Sequence, residues 1–356
     1  MDFKGADILS VNDLTLEDVK HIMEVADEML PYASRERITR VLEGAVLANI
    51  FFQPSTRTRV SFGSAFNRLG GAVRDIIGVS FSSIVKGESI HDTSRVISGY
   101  ADVMTVRDPK EGAVKEFADA TQIPVINGGD GPGEHPTQGL LDIYTLYREL
   151  AQIDGMTIAM IGDLKNGRTV HSLSKLLALH KNIRFKFIAP PKLQMPHETC
   201  EYIMDKNHNH KIVTVKDLAE GINDADVIYD TRIQEQCFES EAEFQHFQGM
   251  YKINRNIVKK HCKKTVLILH PLPRDSRPES NELDHDLNGL RNLGIFRQTD
   301  NGIPIRMAIF ALVLGVVDKV HKSSRQVEWF VPKQIDPEYP EEMRTLLVKT
   351  DKKTSD

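Results

Sequence analysis

At 356 residues the chain is longer than one average domain, so two domains are expected. Hydrophobic residues make up 40% and charged residues 27%, and 45 basic against 50 acidic side chains leave a formal charge of −5. That balance argues against nucleic-acid or membrane binding as the main task and confines any anion site to a local cluster.

The opening "MDFKGADILSVNDL" lacks the basic and apolar regions of a signal peptide and reads as the start of a mature domain. In "TLEDVKHIMEVADEML" the residues Leu16, Val19, Ile22, Met23, Ala26, Met29 and Leu30 recur at helical spacing, and Thr15 with Asp18 forms an N-cap signal. The apolar runs "AVLANIFF", "ADVMTV" and "IPVIN" follow, each ending in polar or Gly-rich residues and separated by helical stretches such as "TRVSFGSAFNRLG". This is the rhythm of a parallel α/β sheet. After the helical "TQGLLDIYTLYRELAQ" a second set begins with "MTIAMIG", "IRFKFIA", "DVIYDT" and "TVLILH". The chain therefore reads as two doubly wound parallel-sheet α/β domains of similar size, residues 1–150 and 151–303, with no internal repeat. The longest apolar run, "MAIFALVLGVV", has 11 residues, against the roughly 20 needed to span a bilayer, so a soluble cytoplasmic protein is expected. Residues 322–356 are polar and Pro-containing, and a partly ordered tail is expected there, with Trp329 and Phe330 packing on a neighbour or, the favoured reading, capping the last helix.

The stretch "FFQPSTRTRVSF" packs Ser55, Thr56, Arg57, Thr58 and Arg59 where a strand turns into a helix. Free backbone N–H groups and the positive end of the helix dipole meet there, which suits a phosphate; Arg57 adds a planar fork and the hydroxyls add donors. An ordinary N-cap followed by surface arginines is the plain alternative. Further polar groups fall at predicted strand ends, where α/β sheets carry their ligand sites: Arg107, His135 to Gln138 in "HPTQ", Arg168, Arg232 and Gln234 in "TRIQ", and "HPLP" from His270. Taken singly, each also reads as a turn residue or a solvated charge.

Their order decides between these readings. "STRT", "VKGES", "RDPKEG", "HPTQ", "GDLKNGRTVHS", "TRIQ" and "HPLPR" resemble, in sequence, the catalytic chains of the aspartate/ornithine carbamoyltransferase family, over nearly all of residues 4 to 320. The ornithine branch has a cysteine where this chain has Pro271 and lacks "GDLKNGR", so the aspartate branch fits better.

The resemblance implies transfer of the carbamoyl group of carbamoyl phosphate to the amine of L-aspartate, in pyrimidine biosynthesis. It also implies that a C-terminal helix, 304–321, packs back on the first domain. Carried over by position, Ser55, Thr56, Arg57 and Thr58 hold the phosphate, and Arg107 bridges phosphate and carbonyl oxygen. Thr58, Arg107 and His135 stabilise the charge that develops on that oxygen, and Gln138 orients the carbamoyl NH₂. The acceptor's carboxylates meet Arg168, Arg232 and Gln234, while backbone carbonyls at Pro271 and Leu272 receive its amine; Leu272–Pro273 is expected to be cis. Ser82 and Lys86 match a loop that reaches into a neighbouring subunit's site, which implies a homotrimer with shared active sites; a larger assembly with regulatory chains stays open. No metal or organic cofactor is implied: Cys200, Cys237 and Cys262 are far apart, and nothing clusters at ligand spacing.

Two positions depart from the family. It usually has a glutamate where this chain has Gln53, and commonly an arginine where this chain has Cys237. In the family those two residues help clamp the domains shut through a network that includes the counterpart of Arg168. Losing both signs together is a compensated change, since a buried charge left alone is costly. It implies weaker closure or a somewhat different acceptor. Two alternatives therefore stand beside the aspartate reading: a carbamoyltransferase for another amino acid or amine, and a weakly catalytic paralogue with an assembly or regulatory role.

Overall fold

The computed structural model describes residues 1–78, 87–233, 238 and 240–331. Among them the chain forms two compact units, one of Met1–Leu141 with the residues from Asp300 onward, the other of Asp142–Thr299.

The first unit opens with α1 (Leu16–Ala33), started by a capping box in which Thr15 Oγ1 accepts from the Asp18 N–H and the Asp18 carboxylate accepts from the Thr15 N–H. The short β1 (Arg37–Ile38) leads to β2 (Val46–Phe51), α2 (Thr56–Arg68), β3 (Ala72–Ile77), α3 (Ile90–Ser98), β4 (Val103–Asp108), α4 (Ala113–Asp119) and β5 (Val125–Asp130). The four strands β2 to β5 pair in parallel in the order β3-β2-β4-β5. On one face Val114 and Phe117 of α4 pack against Ala48, Ile50, Met104 and Val106.

The second unit holds most of α5 (Pro136–Glu149), then β6 (Thr157–Ile161), α6 (Arg168–Leu177), β7 (Arg184–Ile188), α7 (His197–Asp205), β8 (Lys211–Val215) and α8 (Leu218–Ile222). It continues with β9 (Val227–Asp230), α9 (Glu241–Phe247), α10 (Arg255–His261), β10 (Leu267–Leu269) and α11 (Ile295–Asp300). Its sheet is parallel throughout, in the order β10-β9-β6-β7-β8. The boundary lies within α5, ahead of the residue-150 division drawn from the sequence. The reason is polar: Asp142 accepts hydrogen bonds from the Tyr229 hydroxyl and the Gln298 amide, and Glu149 pairs with Arg297, which ties that part of α5 to the second unit.

The chain then returns to the first unit as α12 (Gly302–Val313), which packs on α1 and α2. Nearly every residue of α12 is buried, so it is apolar all round, as a central helix must be. It ends at Val313 and does not run on to 321. Gly315 takes a left-handed φ of 64°, the usual stop for a helix, and a separate 3-10 helix covers Val317–Ser323. Beyond it β11 (Arg325–Gln326) pairs antiparallel with β1. Trp329 and Phe330, expected to cap the last helix, are 57% and 88% exposed. The expected tail lies, from residue 332, outside the described residues.

Candidate active site

In the first unit, β2 delivers the chain to α2, whose N-cap is Ser55 in extended conformation with no side-chain cap hydrogen bond. The first turn carries no acidic residue, unlike that of α1, which holds Glu17 and Asp18. The first backbone N–H groups of a helix have no intrahelical acceptor, and this turn has no acidic residue of its own to offset its positive end. Asn49 of β2 fixes the helix in place: its amide donates to the Arg59 carbonyl at 3.2 Å and to Asp75 Oδ1 at 2.7 Å. Arg57 is exposed, and Ser55 and Thr58 are half-buried.

Arg107 sits near the end of β4, beside Phe51 in the β2–β4 register. It is buried, and its Nη1 donates to the Gly128 carbonyl at 3.1 Å. A register shift with β5 falls between Val106 and Arg107, a bulge of the kind that re-aims a side chain at a sheet rim. His135, also buried, follows β5 at the start of α5, where its carbonyl accepts from the Gln138 and Gly139 N–H groups. The strands β2, β4 and β5 are neighbours in one parallel sheet, so their C-terminal ends bring Ser55 to Thr58, Arg107 and His135, with Gln138 in the first turn of α5, to one edge. A set of N–H, hydroxyl and guanidinium donors at such an edge suits a phosphorylated ligand.

The second unit repeats the pattern at the neighbouring strands β10, β9 and β6. Arg168 is the first residue of α6, after a turn in which Asp163 Oδ1 accepts from the Asn166 backbone N–H at 3.0 Å. That turn is tight against its neighbour: a Cβ on Gly162, whose φ is 105°, would lie 2.0 Å from the Thr231 carbonyl oxygen. Half-buried Arg232 follows β9, and Pro271 and Leu272 follow β10, with Leu272–Pro273 cis. Two arginines at one edge suit a ligand with carboxylates. Ser82, Lys86, Gln234 and Cys237 lie outside the described residues, and Gln53 is half-buried after β2.

Residues 6–148 match the family model described as aspartate/ornithine carbamoyltransferase, carbamoyl-P binding domain, and residues 154–313 match its Asp/Orn binding domain. The chain belongs to the aspartate/ornithine carbamoyltransferase family. Among its relatives in that family is the aspartate carbamoyltransferase catalytic subunit of Cellvibrio japonicus, 54% identical over 336 residues that cover 93% of this chain and 98% of the relative. The aspartate transcarbamoylase of Trypanosoma cruzi, solved in complex with carbamoyl phosphate and aspartate, has a TM-score of 0.82 at 36% identity, covering 88% of this chain and 98% of that one. The same enzyme solved with N-(phosphonacetyl)-L-aspartic acid also scores 0.82 at 36% identity, with coverages of 88% and 97%.

Beside the family motifs the structure shows polar residues that sequence reasoning did not single out. Asp230, at the end of β9, is fully buried, lines a small cavity with Thr231, Ser280 and Glu282, and has no hydrogen bond to either carboxyl oxygen. Burial, and then the Glu282 charge, push its pKa well above the usual carboxylate range. Glu282 itself bonds to His270. The only sequence signal for Asp230 was a charge closing an otherwise apolar strand, and nothing local marked Glu282 or Asn49.

Proposed function

We propose that this chain transfers the carbamoyl group of carbamoyl phosphate to the amine of L-aspartate, giving N-carbamoyl-L-aspartate and phosphate. The observation that carries this reading is the pairing of two donor sets at parallel-sheet edges, one suited to a phosphate in the first unit and one suited to carboxylates in the second. The Trypanosoma cruzi relative, solved with carbamoyl phosphate and aspartate together, supports it.

In this mechanism Ser55, Thr56, Arg57 and Thr58 hold the phosphate, and Arg107 reaches both phosphate and carbonyl oxygen. Gln138 orients the carbamoyl NH₂. Arg168, Arg232 and Gln234 take the carboxylates of aspartate, and the carbonyls of Pro271 and Leu272 receive its amine. The amine attacks the carbonyl carbon, a C–N bond forms, and the C–O bond to phosphate breaks. Charge that gathers on the carbonyl oxygen is met by Thr58, Arg107 and His135. The departing phosphate takes the amine's proton, so no protein nucleophile is required. Catalysis rests on orienting two bound reactants and on electrostatics.

Ser82 and Lys86 are assigned to a neighbouring subunit's site, so the working unit is a homotrimer. The reaction belongs to de novo pyrimidine synthesis, in the cytoplasm. No helix among the described residues is long and apolar enough to cross a membrane.

The test is carbamoyl transfer by the purified protein, following phosphate and carbamoylated product together, with aspartate beside ornithine, glutamate and asparagine. Saturable N-carbamoylaspartate formation is the expected result. Turnover only with another amine, the outcome favoured by Gln53 and Cys237, would replace the acceptor, and no turnover would overturn the reading.

A further inference from the structure

The turn after β10 holds a conformation that its own residues do not favour. Leu272 has a φ of 56°, in the left-handed region, which costs a residue with a Cβ about 1–2 kcal/mol. The side-chain hydrogen bonds show what holds it there. The Leu272 N–H donates to Nδ1 of His270 at 2.8 Å. Nδ1 is therefore the bare nitrogen, the proton resides on Nε2, and Nε2–H donates to Glu282 Oε1 at 2.9 Å.

Glu282 is fixed in turn by the Asp275 N–H, at 3.1 Å to Oε1 and 3.3 Å to Oε2, and Asp275 is held by Arg277, whose Nη2 donates to Oδ2 at 2.7 Å. The backbone N–H of His270 donates to Gln298 Oε1 at 3.0 Å, and the Gln298 amide donates to Asp142 Oδ1 at 2.7 Å. Both His270 and Glu282 are buried, so neither bond competes with bulk water.

We infer that His270, locked in one tautomer by Glu282, is a positioning residue that sets the Pro271 carbonyl, which shares a peptide plane with the Leu272 N–H, to receive the acceptor amine. This rests on the proposed transfer to aspartate, in which that carbonyl aligns the amine's lone pair on the carbonyl carbon. The imidazole touches no substrate in this scheme. It fixes the Pro271–Leu272 peptide plane, and a displacement of about 1 Å at such a point costs up to a hundredfold in rate.

The test compares His270→Asn, whose amide oxygen can stand in for Nδ1, with His270→Gln, which reaches toward Glu282 and abandons the Leu272 N–H. Glu282→Gln, which still accepts from Nε2–H, serves as a second pair member against Glu282→Ala. Wild type is assayed first with aspartate; absence of N-carbamoylaspartate there would overturn the transfer reading and this inference with it. Given wild-type turnover, His270→Gln and Glu282→Ala should lose about tenfold to a hundredfold in kcat/KM for aspartate. His270→Asn and Glu282→Gln should stay within about threefold of wild type, with the dissociation constant for carbamoyl phosphate unchanged in all four. Equal losses in the Asn and Gln variants of His270, or a parallel weakening of carbamoyl phosphate binding, would reduce His270 to a structural residue and overturn the inference. Thermal melts of each variant separate these outcomes from unfolding.

Discussion

Arg107 depends on a neighbour that has no side chain. Gly129 has a φ of 133°, and a Cβ placed there would lie 2.8 Å from Arg107 Nη1 and 3.2 Å from its Cζ. The glycine permits the backbone conformation and leaves room for the guanidinium at the same time. Its N–H donates to Asn127 Oδ1 at 2.7 Å, and the Asn127 amide donates to the Leu9 carbonyl, so the β5 backbone cannot simply move away. Gly129→Ala should displace Arg107 and lower kcat/KM for carbamoyl phosphate by about a hundredfold, while the fold loses only about 1–3 kcal/mol from the strained φ. Steady-state kinetics beside a denaturant melt checks this, and near-normal kinetics would mean that Arg107 does not need its observed place.

At the scale of elements, the helix that presents Ser55 to Thr58 is anchored from its far side. Phe62 and Phe66 of α2 meet Phe310 of α12 edge-on, with ring centroids 6.0 Å and 5.0 Å apart, and all three rings are fully buried. Arg306 of α12 adds a hydrogen bond from Nη1 to Ser61 Oγ at 2.9 Å and lies over the Phe62 ring at 4.8 Å. The chain's C-terminal part thus braces the anion edge of its N-terminal part. Phe310→Ala removes both aromatic contacts at once and should cost about 3–5 kcal/mol, measured by denaturant unfolding. Phosphate affinity should fall in the same variant, because the helix loses its backing. Stability lost with phosphate binding intact would show that the β2 end, through Asn49, suffices to place the turn.

For the whole molecule, buried titrating groups of the second unit pull stability in opposite directions with pH. Burial lowers the pKa of His270, and it lowers that of His210, whose Nδ1 accepts from the Ile183 N–H and whose Nε2 meets the Ala178 carbonyl. Their neutral forms belong to the fold. As pH falls below the unfolded value of 6.5, the unfolded chain takes up protons that the fold refuses, and stability is lost. Asp230 has the reverse sign: its raised pKa leaves stability whole below 3.8, and it is lost as pH rises from there toward the folded value. Melting temperatures across a pH series should therefore show Asp230→Asn gaining on wild type as pH rises above 3.8, and His270→Asn gaining on it as pH falls below 6.5. Curves that run parallel to wild type would show that these groups do not titrate with folding.

By itself the sequence determined the two parallel sheets, the capped first helix and the order of motifs at the strand ends, because periodicity and caps are set by neighbours a few residues apart. It passed over β3 and β8, which are edge strands paired on one side only and carry Arg74, Asp75 and Lys211 where a central strand would be apolar. It also ran the last helix past Gly315. Only the tertiary structure decided that Phe310 backs α2, that Gly129 makes room for Arg107, and that Glu282 sets the tautomer of His270. Phe310 is more than two hundred residues from α2, and the Asp142–Gln298 hydrogen bond joins positions 156 residues apart. Contacts at that separation leave no trace in local hydrophobic pattern; they exist only once the strands have set which chain ends meet.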